Sequence, residues 1–238
     1  QWWTSLFAFA GLRLLRFRRR LFRVLDSKYG DLAFSPDGQL LATGGIGSRA
    51  EVWDVASGDL KFELDTDTRG DLEPQFSPDG KLIAVADDTR KIHIFDAATG
   101  ERLHILQHER PFRSDSTDIA FRPDGKVLAT CIEIEIKLWD LSTGQELAAM
   151  EVPGRSEDER RRNYMSVALT WDSTGSLLAF GGAGLHFVDP KTMTLLHTVP
   201  GLGVTREVLF TTDGTRVICS TSDVGEDSDE RKIVSLAV

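Results

Sequence analysis

One short motif recurs through the chain and constrains its fold more than any other feature. It reads Phe-Ser-Pro-Asp-Gly at residues 34–38 and 76–80, and Phe-Arg-Pro-Asp-Gly at 121–125. Weaker copies occupy 171–175 and 210–214, so the lead aromatic residue recurs every 39–50 residues. Proline presets φ at the first central position of a type I turn, and glycine accepts the positive φ that follows. Each copy therefore predicts a tight turn between two antiparallel strands.

The residues after each turn predict the rest of a repeated four-stranded unit. An apolar run follows every turn, as at Leu40–Ala42 and Val127–Ala129, which predicts a second strand buried on both faces. A third strand ends in an aromatic or apolar residue followed by aspartate, as at 53–54 and 139–140. The fourth strand alternates between polar and apolar residues, as at 61–64, so we expect half of it to be exposed.

This pattern resembles the WD40 repeat family, and the resemblance covers about residues 20–238. It implies an all-β fold, a β-propeller of four-stranded antiparallel blades. The motifs indicate four whole blades and one shared blade, about five in all. Two interpretations stay open. Either an N-terminal strand at Leu21–Leu25 completes the last blade, whose third strand is Arg231–Leu236, and closes a five-bladed ring, or the chain is part of a larger ring.

In the WD40 family, a histidine, a serine or threonine, an aspartate and the third-strand tryptophan form a hydrogen-bonded set. Two blades retain parts of that set, namely Thr43 with Trp53 and Thr130 with Trp139. The Gly-His dipeptide of the family is absent, and only Gln107-His108 is similar to it. Phe95 and Val188 replace tryptophan in other blades and cannot donate a hydrogen bond. We therefore predict that apolar packing, more than polar networks, holds the blades together.

The distribution of charge separates the first thirty residues from the rest. The chain has a formal net charge of −9, but residues 1–30 contain seven lysines and arginines and one acid. The remainder therefore carries a charge of about −15. An acidic propeller does not suit general binding to nucleic-acid phosphates, so we expect no nucleic-acid partner.

The N-terminal segment, residues 1–19, lies outside the repeats, and we expect the propeller domain from residue 20 onward. Its apolar stretch is shorter than the roughly 20 residues of a complete membrane span. Three interpretations are open: the end of a truncated transmembrane helix with its arginines on the cytoplasmic side, an amphipathic helix on an anionic membrane, or a short helix packed against protein. The candidate membrane-contacting residues are Trp2, Trp3, Phe7, Arg16, Arg18, Arg19 and Arg20. We accordingly expect a cytoplasmic protein, or one associated with the cytoplasmic side of a membrane.

Three long connections supply the candidate partner-binding residues. Gln107–Asp118 and Pro153–Tyr164 lead from a rim strand to the next blade, and Ser222–Glu230 joins a second strand to a third. In a propeller these connections emerge on one face, where insertions on a rigid scaffold often bind partners. Solvated connections without a partner are an equal alternative. The candidate residues are His108, Arg110, Arg113, Arg160, Arg161, Arg162, Asp223, Glu226 and Asp227.

The sequence predicts no catalytic residue, no metal site and no cofactor. Asp223–Glu230 is acidic but lacks the spaced D-x-D-x-D-G pattern of an EF-hand loop. No nucleophile motif, phosphate-binding loop or dinucleotide fingerprint is present. We expect Cys131 and Cys219 to be small buried side chains. Aspartates that end third strands, such as Asp140, should cap the turns that follow them.

We therefore predict a non-enzymatic scaffold for protein–protein interactions whose partner the sequence does not identify. One alternative is a propeller hydrolase similar to lactonases, which would need metal-binding side chains converging on the central channel. The other is a module that docks on a membrane surface through residues 1–20.

Overall fold

A computed structural model describes residues 31–44, 47–70, 72–87, 89–108, 117–132, 135–152, 168–222 and 232–237. Within these residues the regular secondary structure consists of β-strands alone, in agreement with the all-β prediction. The predicted N-terminal helix and the predicted strand at Leu21–Leu25 lie outside them. No helix long and apolar enough to cross a lipid bilayer occurs in this part of the chain.

Three sheets each contain four antiparallel strands in sequence order, and each sheet is one predicted blade. The first consists of β1 (Leu32–Phe34), β2 (Leu40–Thr43), β3 (Gly47–Asp54) and β4 (Leu60–Gly70). The second consists of β5 (Glu73–Phe76), β6 (Leu82–Ala86), β7 (Lys91–Asp96) and β8 (Arg102–Gln107). The third consists of β9 (Thr117–Phe121), β10 (Val127–Ile132), β11 (Glu135–Asp140) and β12 (Glu146–Glu151).

The fourth sheet has six strands because two blades share one of them. It consists of β13 (Leu169–Trp171), β14 (Leu178–Phe180), β15 (Gly182–Asp189), β16 (Thr194–Phe210), β17 (Arg216–Ser222) and β18 (Lys232–Ala237). The first part of β16 pairs with β15 and its last part with β17, while Val204 and Thr205 pair with both. The described residues thus form four whole blades and three strands of a fifth, as the spacing of the motif predicts.

The recurrent turn has the conformation that its sequence predicts. The glycine of all five copies is left-handed, with φ between 68° and 72°. In four copies an aspartate precedes the glycine and accepts a hydrogen bond from the backbone N–H two residues further on, as Asp37 does from Gln39 at 3.0 Å. Hydrogen bonds from the Ser35 hydroxyl and the Gln39 N–H lower the pKa of Asp37.

The third-strand aspartates cap the following turns, as predicted. The carboxylate of Asp140 accepts hydrogen bonds from the backbone N–H groups of Ser142 and Thr143, at 2.8 and 3.2 Å. Asp54, Asp96 and Asp189 are also acceptors for backbone N–H groups of their turns. These carboxylates therefore have a structural role in holding each turn closed.

The second strands are buried on both faces in the first four blades, and all six residues of β10 are buried. Cys131 and Cys219 are also buried, as predicted. The prediction is wrong for β17, where Ile218 is 38% exposed although Val217 and Cys219 are buried. The reason is that only one face of this strand packs against described residues.

The chain divides into two compact units, residues 1–107 and 108–238. In the first unit, one core cluster joins the first two sheets and includes Val52, Leu64 and Phe95. In the second unit, one cluster joins the third sheet to the fourth blade, and another joins the fourth blade to the fifth. Each blade therefore buries an apolar face against its neighbour within its own unit.

Candidate functional site

Of the predicted partner-binding residues, the structure describes only His108. The residue is 3% exposed and its side chain makes two hydrogen bonds inside the protein, so it is not part of an exposed binding surface. This corrects its assignment as a partner-binding residue. The others, Arg110, Arg113, Arg160, Arg161, Arg162, Asp223, Glu226 and Asp227, lie outside the described residues. The predicted membrane-contacting residues, Trp2, Trp3, Phe7, Arg16, Arg18, Arg19 and Arg20, also lie outside them.

His108 belongs to a buried network of four side chains in the third blade. Its Nδ1 lies 3.0 Å from Oε2 of Glu135, and its Nε2 lies 2.8 Å from Oγ1 of Thr130. The indole Nε1 of Trp139 donates to the same Thr130 oxygen at 2.9 Å. Because the Glu135 carboxylate only accepts, Nδ1 of His108 carries the imidazole hydrogen and donates it to Glu135. Nε2 of the neutral ring then accepts from the Thr130 hydroxyl, which in turn accepts from the indole.

This network adds a polar set to the apolar packing of the third blade, and the expectation that apolar packing contributes more stays a prediction. The third blade combines apolar packing with a complete histidine–carboxylate–threonine–tryptophan set. Glu135 supplies the carboxylate where the family has aspartate, which is why the sequence pattern hid it. In the first blade, by contrast, the Trp53 indole lies 3.4 Å from the Thr43 oxygen, so their hydrogen bond is long.

Lys137 extends this network with a positive charge. The Lys137 side chain is 8% exposed, and its Nζ lies 2.7 Å from Oε2 of Glu146 and 4.0 Å from Oε2 of Glu135. It also lies 5.4 Å from the centre of the Trp139 ring, within cation–π range. Burial lowers the pKa of His108 to about 4, the Lys137 ammonium acts in the same direction, and Glu146 opposes it. His108 is therefore neutral at pH 7, and its Nε2 is free of hydrogen to accept from Thr130.

The second blade contains a different histidine–carboxylate pair. Nε2 of His93 lies 3.0 Å from Oδ2 of Asp87, and both side chains are buried. The other carboxylate oxygen accepts backbone hydrogen bonds from Thr89 and Lys91, at 2.8 and 3.0 Å. The pair therefore fixes the connection between β6 and β7. The sequence pattern did not reveal it, because neither residue belongs to the recurrent motif.

Asp118 joins two neighbouring blades inside the second unit. Its carboxylate accepts hydrogen bonds from the backbone N–H of Ile119, at 2.9 Å, and from that of Leu169, the first residue of β13. Burial raises the pKa of Asp118 to about 6, although both hydrogen bonds act in the opposite direction. The beginnings of β9 and β13 are thereby held together. The sequence placed Asp118 at the end of the connection Gln107–Asp118 but did not predict this bond.

These contacts lie where the long connections of the second unit begin and end. His108 and Thr117 flank residues 109–116, and Val152 and Ala168 flank residues 153–167. Strand pairing from β13 through β17 brings Ser222, which precedes residues 223–231, to the end of the sheet at which β13 begins. The flanks of all three connections therefore meet at one end of the unit, which we call the connection end. Their charged residues lie outside the described part of the chain.

Comparison with known proteins gives a family and a fold. The model of the family described as "WD domain, G-beta repeat" matches residues 26–54. The search of curated proteins gives no significant match. Among solved structures, the beta-propeller domain of Cps50 (Swd1) from Myceliophteria thermophila matches with a TM-score of 0.66 and 16% sequence identity.

That match covers 82% of this chain, but the chain spans only 62% of the length of the Cps50 domain. At this level of identity the likeness shows the fold alone. The family model identifies one repeat directly, and the sheets show that its neighbours have the same strand order. The resemblance to the WD40 repeat family is thus confirmed, and the fold is that of a β-propeller domain.

Proposed function

We propose that the protein is a non-catalytic scaffold that binds a protein partner at the connection end of its second unit. WD40 propellers generally serve as scaffolds for protein interactions, and the family match supports this class of function. The particular surface is our inference from the arrangement of the described residues.

The observation that carries the proposal is that polar side chains at the connection end bond to one another and to the backbone. His108, Glu135 and Thr130 fix the residue that precedes connection 109–116. Asp118 bonds Leu169 and so ties the end of that connection to the end of connection 153–167. Connections with fixed ends lose less conformational entropy on binding than connections with loose ends. The anchored connections at the connection end are therefore well suited to bind a protein partner.

The sequence of the connections indicates the chemistry of the partner. Connection 153–167 carries consecutive arginines at 160–162, whereas connection 223–231 is acidic. Because arginine pairs with carboxylates through two parallel hydrogen bonds, we propose an acidic protein surface opposite Arg160–Arg162. Complementary charge of this kind raises the association rate and selects among partners.

A charge-reversal experiment tests this proposal. The triple variant R160E/R161E/R162E and the wild type are used to capture partners from a lysate, and captured proteins are quantified by mass spectrometry. We expect a partner whose recovery falls at least about tenfold with the triple variant. The control is K126E/K191E, which changes two exposed lysines in turns outside the three connections. Equal recovery with the triple variant, or equal loss with the control, would contradict the proposal.

The hydrolase alternative requires several metal-binding side chains that converge. Across the described ranges, no three histidine, cysteine, aspartate or glutamate side chains form such a group. We therefore favour the scaffold. Metal-dependent turnover of ester or lactone substrates would reverse that preference.

Membrane association through residues 1–20, and with it a location on the cytoplasmic side of a membrane, stays a proposal that rests on sequence. Clustered arginines after apolar residues support it. Sedimentation with anionic liposomes, using the full chain and a variant that lacks residues 1–20, would test it. Equal sedimentation of the two proteins would exclude a membrane role for this segment.

A further inference from the structure

The third and fourth blades are joined at their first strands by two hydrogen bonds, one of which ends on a carboxylate. The carboxylate of Asp118 in β9 accepts from the backbone N–H of Leu169, at the beginning of β13. Two residues further along both strands, the indole of Trp171 donates to the backbone carbonyl of Ala120 at 3.0 Å. The two strands therefore have a charged attachment at the beginning of β13 and a neutral attachment at its end.

The N–H of Leu169 does not take part in the ladder between β13 and β14. The neighbouring pair is hydrogen-bonded, because the Gly181 N–H donates to the Ala168 carbonyl at 2.9 Å. Hydrogen-bonded and non-hydrogen-bonded pairs alternate along antiparallel strands, so Leu169, which pairs with Phe180, directs its N–H away from β14. The hydrogen bond of this N–H group therefore depends on the Asp118 carboxylate.

The surroundings of the Asp118 carboxylate favour uptake of a proton. Its side chain lies on the face of the third sheet that packs against the fourth blade, where Ala120 and Trp171 belong to one apolar cluster. Its hydrogen bonds come from two backbone N–H groups, and no cationic side chain of the described residues pairs with it. A carboxylate that loses water without gaining a cation binds a proton more readily than one in water. The residue keeps some exposed surface, through which solvent protons reach it while the fold stays closed.

The strands around Asp118 carry other titratable side chains that a test must separate from it. Cys131 lies opposite Asp118 in the ladder between β9 and β10. His186 lies on the fourth blade, two strands outward from Leu169. The network around His108 lies on the opposite face of the third sheet, because side chains alternate along β10. The turn aspartates of both blades lie at the other end of these strands.

We propose that Asp118 forms a pH-dependent contact between the third and fourth blades, in which the charged carboxylate holds the Leu169 N–H and protonation releases it. A hydrogen bond to an ionised acceptor is roughly twice as strong as one to a neutral acceptor. Protonation therefore weakens the attachment at the beginning of β13, whereas the bond between Trp171 and Ala120 contains no titratable group and stays closed. The stability of the whole fold does not fall with this step, because protonation also removes the cost of a desolvated charge.

Nuclear magnetic resonance of the full chain tests this contact in the absence of any partner, so failure of the proposed scaffold surface would leave the result unaffected. In the wild type, the Cγ of Asp118 and the amide of Leu169 should titrate together, with one midpoint near pH 6. After correction for the intrinsic effect of pH, hydrogen exchange of the Leu169 amide should become at least about tenfold faster from pH 7 to pH 5. The indole N–H of Trp171 should not show this titration, because its acceptor is a backbone carbonyl.

Two asparagine substitutions separate Asp118 from the other titrating groups. D118N keeps the shape of the side chain without its charge, so the Leu169 amide should exchange rapidly at pH 7 and pH 5 alike and should no longer titrate. D172N is the matched control, because Asp172 also accepts a backbone N–H in the same unit, that of Leu177 at 2.7 Å. It should keep the wild-type titration of Leu169.

A Leu169 amide that does not titrate in the wild type would overturn the proposal, and this measurement decides the question even if D118N fails to fold. A titration that persists in D118N would also overturn it, because the responsible group would then be another one, such as His186 or Cys131. An equal titration at the Trp171 indole would show a change of the whole junction and would likewise contradict a contact confined to Asp118.

Discussion

Thr130 links the indole of Trp139 to the imidazole of His108 in a buried cluster whose proton positions are set by the Glu135 carboxylate. It accepts the indole hydrogen of Trp139 and donates to Nε2 of His108, which leaves the Nδ1 hydrogen for Glu135. Each member has one arrangement that satisfies all the others. Such a cluster is costly to interrupt, because the remaining polar groups stay buried without partners.

We predict that T130V destabilises the protein by about 1–3 kcal/mol, since it removes the hydroxyl without changing the volume of the side chain. The matched control is T43V in the first blade, where the indole contact is 3.4 Å long. That change should cost less than about 1 kcal/mol. Urea unfolding of the two variants measures the difference. Equal losses would show that the His108 network adds nothing to stability.

A pH prediction follows from two buried groups that titrate in opposite senses. The folded-state pKa of His108 is about 4, below its ordinary 6.5, so the unfolded chain takes up the proton first and stability falls between pH 6.5 and 4. The loss is on the order of 3 kcal/mol. The folded-state pKa of Asp118 is about 6, above its ordinary 3.8, so protonation favours the folded state as pH falls through that range. The two contributions therefore oppose each other in the wild type.

Substitution of either group should reveal the contribution of the other. The free energy of unfolding should fall less between pH 7 and pH 5 in H108Q than in the wild type. In D118N the free energy of unfolding should fall more between pH 7 and pH 5 than in the wild type. Urea midpoints at pH 7, 6 and 5 provide the measurement for each variant. If the pH dependence of H108Q matches that of the wild type, the pKa of His108 is the same in the folded and unfolded states.

At the scale of strands and turns, glycine has two different roles in this chain. Gly58 is needed for its conformation, because its φ is 75° and a Cβ there would meet no atom within 4 Å. Gly44 is needed for its size, because a Cβ there would lie 1.6 Å from the backbone oxygen of Leu72. Gly58 thus allows a turn to form, whereas Gly44 allows two neighbouring blades to approach each other closely.

We predict that G58A costs about 1–2 kcal/mol, the penalty of a left-handed residue with a side chain. G44A should cost more than about 3 kcal/mol, because the backbone of the next blade must move. Thermal unfolding of the two variants compares them directly. A G44A variant as stable as G58A would mean that the two blades separate readily at this point.

The strands and turns were predictable because their signals are local, whereas the cluster around His108 was not. The turn motif fixes glycine φ and aspartate contacts within five residues of sequence. His108 instead meets Glu135 across 27 residues, and its carboxylate partner differs from that of the family. The exposure of Ile218 was also missed, since an apolar run predicts burial without showing whether a neighbour covers it.

At the scale of the molecule, charge is unevenly distributed along the chain. Residues after the first thirty carry a charge of about −15, which repels itself in the compact state. Surface ion pairs such as Arg49 with Glu63, at 2.6 Å, offset little of this repulsion because they are exposed.

We predict that the melting temperature rises by a few degrees between about 0.01 and 0.2 M sodium chloride, as the screening length shortens from about 30 to 7 Å. Scanning calorimetry at constant pH provides the measurement. A melting temperature that falls with added salt would show that exposed ion pairs outweigh the net repulsion.

The 17-residue strand β16 belongs to both the fourth and the fifth blade, and this sharing constrains how the two blades can evolve. A blade elsewhere can be gained or lost by joining the chain within an irregular connection. Between the fourth and fifth blades, joining the chain at a new point would interrupt β16, in which Val204 and Thr205 pair with both β15 and β17. The fourth and fifth blades should therefore be duplicated, deleted or exchanged together, as one genetic cassette.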